Sequence, residues 1–259
     1  MDYQTIRLSY VSGYAEIRLN RAERKNALNT QMRAELLHAV KAAEKQARAI
    51  VLTGAGDAFC SGQDLGDAKT SFDTANMERT LRDEYVPLLR AIYDCPVPTI
   101  SAVNGAAAGA GANLALAADV VIASERAVFL QAFTRIGLIP DAGGTYWLPR
   151  QVGFARAMGA ALFAEPVSAA QAVEWGMIWE AIPDADFEAH WRGRAARLAE
   201  GPTLAYGHTK AAIRGTYGNS LEEQLMLEGQ LQGQCGKSRD FREGVMAFLE
   251  KRPADYEGR

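Results

Sequence analysis

Any chemistry in this sequence is concentrated in three glycine-rich stretches. They are residues 54–66 (GAGDAFCSGQDLG), residues 104–111 within 103–119 (VNGAAAGAGANLALAAD), and residues 137–145 (GLIPDAGGT). In the middle stretch Gly105, Gly109 and Gly111 stand among alanines, and Leu114 to Ala117 read as a buried helix. Glycine accepts unusual backbone angles and lets another group come close to the main chain. A helix start adds N–H groups with no internal partner and the positive end of the helix dipole. Together they can receive a developing negative charge. The competing reading is that the small residues only let a helix pack tightly. Other glycine chemistries fail on spacing. Phe59 and Leu114 stand where a dinucleotide fingerprint needs its third glycine. No Gly-Lys-Ser/Thr occurs in these three stretches, and Ser61 lies in Phe-Cys-Ser-Gly, not in a hydrolase elbow.

The elements that must position these loops follow from apolar periodicity. Residues 3–8 and 15–19 alternate around Ser12-Gly13 and predict a β-hairpin. Residues 20–29 (NRAERKNALN) form a polar, basic loop. Thr30 is the expected N-cap of a helix over 31–46. Buried strands are expected at 49–53, 98–103, 120–123 and 127–130, with an amphipathic helix over 74–93. Met77, Leu81, Tyr85 and Leu88 share one face of that helix. Residues 131–136 are ambiguous. Beyond residue 145 helices are expected at 146–150, 154–162, 169–175, 187–200, 203–215, 221–234 and 239–249, with one strand near 178–182. Each glycine loop follows a strand, and in α/β folds such loops gather at the strands' carboxyl ends. Strands alternating with helices over the first two-thirds imply parallel βα units. The division expected is a core over residues 1–200 and a helical region over 201–259. That last region has no strand and must pack on the core or on another subunit.

Composition narrows the function classes. A net charge of −3, with no basic tract, argues against general nucleic-acid binding. The start MDYQTIRLSY has neither a cationic nor an apolar leader segment, so no signal peptide is expected. No apolar run is long enough to span a bilayer. Cys60, Cys95 and Cys235 are odd in number and widely spaced, which suits a reduced, cytoplasmic setting. His38, His190 and His208 are scattered, so a zinc site is not expected.

Five segments in order resemble the crotonase, or enoyl-CoA hydratase/isomerase, superfamily. They are residues 20–28 (NRAERKNAL), 58–65 (AFCSGQDL), 103–119, 137–145 and 245–252 (VMAFLEKR). The resemblance implies a crotonase, ClpP-like α/β spiral of ββα units. It also implies a helical C-terminal region that assembles a homotrimer or a dimer of trimers. It assigns two oxyanion donors, the backbone N–H groups of Gln63 and Ala110, for the thioester carbonyl of an acyl-CoA. The alternative for Gln63 is an ordinary loop residue. CoA itself would be held by Arg24, Lys25, Ala27, Asp64 and Leu65, and across a subunit boundary by Phe248 and Lys251. Taken singly, each cation could equally be a solvated surface charge, and Asp64 could simply order its loop. No metal or separate cofactor is implied, because CoA is part of the substrate.

Acid–base residues then decide the reaction. Hydratases of the family use two glutamates, and the matching positions here carry Asn113 and Phe133. Neither can exchange a proton near neutral pH. Asp141, before Ala142-Gly143-Gly144, is the acid left in the right loop. In some relatives that position is catalytic; otherwise it would be an N-cap. Asn113 would orient substrate or fill the vacated glutamate site, and Asp119 reads as structural. One carboxylate beside an oxyanion site suits a 1,3-proton shift. Residues 62–67 (GQDLGD), 108–116, 137–145 and 174–180 (EWGMIWE) are most similar to the family's isomerases of 1,2-epoxyphenylacetyl-CoA. Those form an oxepin-CoA, act in phenylacetate breakdown and also shift enoyl-CoA double bonds. The rival readings are an enoyl-CoA hydratase, a Δ3,Δ2-enoyl-CoA isomerase, and a protein that binds acyl-CoA without turning it over.

Overall fold

The computed structural model describes residues 2–66 and 74–259. Asp67, the last residue of the GQDLGD segment, lies outside the described residues. The chain opens with a hairpin, β1 (Ile6–Val11) and β2 (Tyr14–Leu19), paired antiparallel with Ile6 opposite Leu19. Helix α1 (Thr30–Ala43) follows the basic loop. Its N-cap is Asn29 and not Thr30: the Asn29 side chain accepts from the Met32 N–H. Both residue types cap well, and here the one with extended backbone takes the position.

Three repeats then build two sheets. The pairs are β3 (Ala49–Gly54) with β4 (Ala58–Cys60), β5 (Thr99–Val103) with β6 (Ala106–Ala108), and β7 (Val120–Ser124) with β8 (Val128–Leu130). In each pair the first strand joins a six-stranded sheet and the second a four-stranded sheet. The short strands β9 (Val167–Ser168) and β10 (Glu180–Ile182) complete them, giving orders β1-β2-β3-β5-β7-β10 and β4-β6-β8-β9. From β2 to β10 the large sheet is parallel. Two of the expected glycine loops therefore contain strands, β4 and β6, which pair with each other.

Between β4 and β5 lie α2 (Thr74–Thr80), a π-helical turn at Leu81–Tyr85 and α3 (Val86–Tyr93). Pro87 explains the wide turn. It has no N–H to return to the preceding turn, and its ring crowds the carbonyl there. Helix α4 (Ala110–Leu116) follows β6. Residues Ala132–Ile136, ambiguous in sequence, form a 3-10 helix. Helix α5 (Gly144–Phe163) is broken at Gly153 (φ 78°, ψ 166°), which agrees with the two helices expected there. Helices α6 (Ala169–Glu174), α7 (Phe187–Glu200), α8 (Thr203–Gly215), α9 (Leu221–Cys235) and α10 (Arg239–Glu250) finish the chain.

The large sheet is covered on both faces, which is why β3 reads as an unbroken apolar run. Ile50 and Leu52 point into the core under α1, α3 and α4, while Ala49 and Val51 pack against Trp191 and Ala195 of α7. Asp119 closes the turn between α4 and β7. It accepts from the Thr99 N–H at 2.7 Å and pairs with Lys210 at 2.7 Å and Arg214 at 2.6 Å. It thereby ties α8 to the sheet, the structural part read for it. Beyond that tether, neither α8 nor α9 buries a residue fully. Leu225, Phe241, Val245 and Phe248 instead line an open groove of about 890 Å³. No helix among the described residues is long and apolar enough to cross a membrane.

Candidate active site

The three glycine stretches meet. A Cβ built on Gly62 would lie 2.7 Å from the Ala108 carbonyl oxygen and 3.4 Å from the Ala110 nitrogen. One built on Gly111 would strike the Cys60 carbonyl at 2.3 Å. Only residues without side chains let the two segments lie this close. The third stretch joins through Asn113 of α4, whose Nδ2 donates to the Asp141 carbonyl at 2.7 Å.

Among the described residues, the backbone N–H groups of Gln63 and Ala110 have no acceptor. Leu28 and Gln63 form an isolated parallel bridge. Its two bonds run from the Leu28 N–H to the Gly62 carbonyl and from the Asp64 N–H to the Leu28 carbonyl. The N–H of Gln63 therefore faces away from Leu28. Ala110 is the first residue of α4, so its N–H has no intrahelical acceptor. Gly109 before it, at φ 53°, ends the β6–β8 ladder by donating to the Leu130 carbonyl at 2.8 Å. Two such donors on abutting segments can receive one anionic oxygen.

Asp141 supplies a carboxyl group with little to stabilise its charge. Its Oδ1 is buried and has no hydrogen-bond partner. Burial pushes its pKa up to about 6. It is not the cap of α5: that position belongs to Gly143 (φ 85°), and no side chain caps the helix. A buried carboxyl that titrates near neutrality can take up and release a proton at working pH. Phe133 is buried, and its Cζ would lie 3.8 Å from a Cβ on Gly109, so a phenyl ring borders the α4 start.

Asn113 is fully buried and both ends of its amide are committed. Its Oδ1 accepts from Gln131 Nε2 at 2.9 Å, which obliges its Nδ2 to face the Asp141 carbonyl. That carbonyl also accepts from the Gly144 N–H at 2.9 Å. The side chain thus holds the Asp141 loop. Asn113→Asp would set an acceptor against that carbonyl. Leaving the buried oxygen short of a donor should lower stability by about 1–3 kcal/mol, read as the midpoint of urea unfolding, and activity should fall with it.

Of the residues expected to hold CoA, the N-terminal set lies beside Gln63. The Ser61 N–H donates to the Lys25 carbonyl at 3.0 Å, and Ser61 Oγ lies 3.3 Å from the Arg24 carbonyl. Lys25 (φ 49°) and Asn26 (φ 55°) are left-handed, which turns the loop back on itself. Ala27 is buried there, with its carbonyl held by Arg21 at 2.6 Å. Asp64 pairs with Arg21 at 2.8 Å and accepts from the Gly66 N–H, while Leu65 is exposed. Phe248 and Lys251 sit at the end of α10, and Phe248 is 82% exposed. Among the described residues neither makes a hydrogen bond or ion pair with the loop at 20–28.

Three residues that matter here escaped the sequence reading: Arg33, Glu84 and Gln131. Arg33 pairs with Glu84 at 2.7 Å and reaches Gln63 Oε1 at 2.9 Å. Tyr85 reads from sequence as part of an apolar face, yet its hydroxyl donates to the same Gln63 oxygen at 2.6 Å. Tyr85 is buried in the core as that face predicts, and its hydroxyl is the part the apolar pattern does not show.

Comparison with known proteins places this geometry in a family. Residues 10–259 match the Enoyl-CoA hydratase/isomerase family model. A Rhodobacter capsulatus protein named "Probable enoyl-CoA hydratase" is 62% identical over the whole of both chains. The 1,2-epoxyphenylacetyl-CoA isomerase of Escherichia coli is 45% identical over 97% of this chain and 98% of its own. The crystal structure of an enoyl-CoA hydratase from Bacillus anthracis superposes with a TM-score of 0.94 at 31% identity, covering 99% of this chain and 100% of that one. The fold is the crotonase spiral, and the chain belongs to the enoyl-CoA hydratase/isomerase family.

Proposed function

We propose that this protein is a CoA-thioester isomerase. It converts 1,2-epoxyphenylacetyl-CoA to oxepin-CoA, shifts the double bond of enoyl-CoA esters, or does both. The observation that carries this reading is the Asp141 carboxyl, whose buried Oδ1 has no partner, in the loop that Asn113 ties to the start of α4. The thioester oxygen accepts from the N–H groups of Gln63 and Ala110. Asp141 takes the proton from the carbon beside the thioester, the enolate is held by the amides, and the proton returns at another carbon. Nothing is added or lost, so the reaction needs neither metal nor redox partner. Arg24 and Lys25 meet the CoA phosphates, with Ala27, Asp64 and Leu65 along the thioester arm. Phe248 and Lys251 serve the neighbouring subunit's CoA in a homotrimer or dimer of trimers. The exposed apolar groove of α8, α9 and α10 supports that assembly.

The 45% identity to an isomerase of that substrate supports the choice. Hydration is the second reading, favoured by the name of the 62% relative. It needs a second group to position and protonate, and Asn113 and Phe133 offer none. A coupled assay with ring-epoxidised phenylacetyl-CoA, following oxepin formation, should show turnover, while crotonyl-CoA should be hydrated slowly or not at all. Fast hydration without oxepin formation would reverse the assignment.

A further inference from the structure

The Gln63 side chain is held more firmly than a loop residue requires. Its Oε1 accepts from the Tyr85 hydroxyl at 2.6 Å and from Arg33 Nη1 at 2.9 Å. Both donors are buried, Arg33 at 3% and Tyr85 at 4% exposure. Arg33 is itself fixed from several sides. It donates to the Leu28 carbonyl at 2.8 Å and to Thr30 Oγ1 at 3.1 Å, and it pairs with Glu84. Its guanidinium carbon lies 5.1 Å from the centre of the Tyr85 ring. Burying an arginine costs free energy that an apolar side chain would not, so such a network contributes geometry more than stability. The π-helical turn at Leu81–Tyr85 puts two neighbouring residues to use in the network, Glu84 on Arg33 and Tyr85 on Gln63. The Leu28 bridge holds the backbone on both sides of Gln63, and the clamp holds its side chain. Among the described residues the N–H of Gln63 has no acceptor.

Resting on the isomerase reading, we infer that Arg33 and Tyr85 are positioning residues that clamp the Gln63 side chain and thereby aim its backbone N–H at the thioester oxygen. Both arms of the clamp donate to the Gln63 oxygen. Burial raises the Tyr85 phenol well above its ordinary range, against a smaller opposing pull from the Arg33 charge, so it stays protonated. Without the clamp the amide remains, but its direction wanders. A donor misdirected by a fraction of an ångström forfeits much of its pull on a developing charge.

Tyr85→Phe removes one arm and Gln63→Ala removes the gripped group while keeping the backbone N–H. Each should lower kcat for proton transfer about tenfold, with KM changed less than about twofold. The double variant should lose no more than Gln63→Ala alone, because Tyr85 acts only through that side chain. Bound cinnamoyl-CoA gives a direct signature, since polarising its conjugated carbonyl shifts its absorbance to the red. The shift should shrink in Tyr85→Phe and Gln63→Ala and persist in Asp141→Asn. Additive losses in the double variant, or a full red shift in Tyr85→Phe, would overturn the clamp. Full turnover in Asp141→Asn would overturn the isomerase reading instead, whatever the absorbance does.

Discussion

Asp141→Asn should fold, bind acyl-CoA and lose isomerisation by about a thousandfold. The expectation follows from the carboxyl's surroundings. Its Oδ1 is buried without a partner, so replacing it with an amide breaks no hydrogen bond at that atom. Turnover with a ring-epoxidised phenylacetyl-CoA or an enoyl-CoA measures the loss, and circular dichroism checks the fold. The same residue sets the pH dependence. Its pKa is raised from 3.8 to about 6, so the buried charge opposes folding once the group ionises. The sign is therefore fixed: its contribution is most favourable below pH about 4 and is lost as pH rises through about 6, to a total of about 3 kcal/mol. Asp141→Asn should accordingly be more stable relative to the parent at pH 8 than at pH 4. As a base it must be ionised, so kcat/KM of the parent should fall as pH drops below about 6. A variant with parental turnover, or a pH-independent stability difference, would remove Asp141 from its role.

The second large effect concerns an atom that side-chain mutation usually misses. Ala110→Pro deletes the unused N–H at the first position of α4. Proline is well accepted there, since its missing N–H had no helical acceptor and its φ suits a helix start. Gly109 before it has ψ −127°, away from the helical values that proline excludes. The fold should survive, while the ring occupies the direction in which the amide pointed. kcat/KM should drop at least about a hundredfold, as when one donor of an oxyanion site is removed. Proton exchange at C2 of bound acyl-CoA in deuterated water isolates the step, and exchange should slow in parallel. Exchange at the parental rate would show that the thioester oxygen lies elsewhere.

Local pattern carries far in this protein because most elements state their type and length themselves. The hairpin at β1–β2, the buried run of β3 and the helices from α6 to α10 agree with their periodicity. Asp141 is legible as the acid in the third glycine stretch. The misses share a cause. Strands β4 and β6 have three residues each, and Ala58 pairs with Ala106, far along the chain. Segments that short carry no period, so only their pairing makes them strands. Asn29 and Thr30 are both competent caps, and the loop's path selects Asn29. The helix expected over 74–93 is present, but it widens at Leu81–Tyr85 just before Pro87, and Tyr85, buried with the apolar face as expected, also reaches Gln63 through its hydroxyl.

The glycine turn before α4 shows where the division falls. By itself the sequence determined that a small-residue helix start was available to an anion, because residue type alone permits the backbone angles and exposes the N–H groups. It also determined that a second and a third carboxylate were missing, since Asn113 and Phe133 cannot ionise. Only the tertiary structure brings the first two stretches together, because Gly62, just past β4, abuts Ala110, at the start of α4, where β4 and β6 pair in the small sheet. Only it decided that Asp141 has a buried carboxyl oxygen without a partner and is not a cap, and that the Asn113 amide is bonded to the Asp141 backbone. Burial and hydrogen-bond partners are properties of packed neighbours distant in sequence, and those set the pKa and the direction of every group at this site.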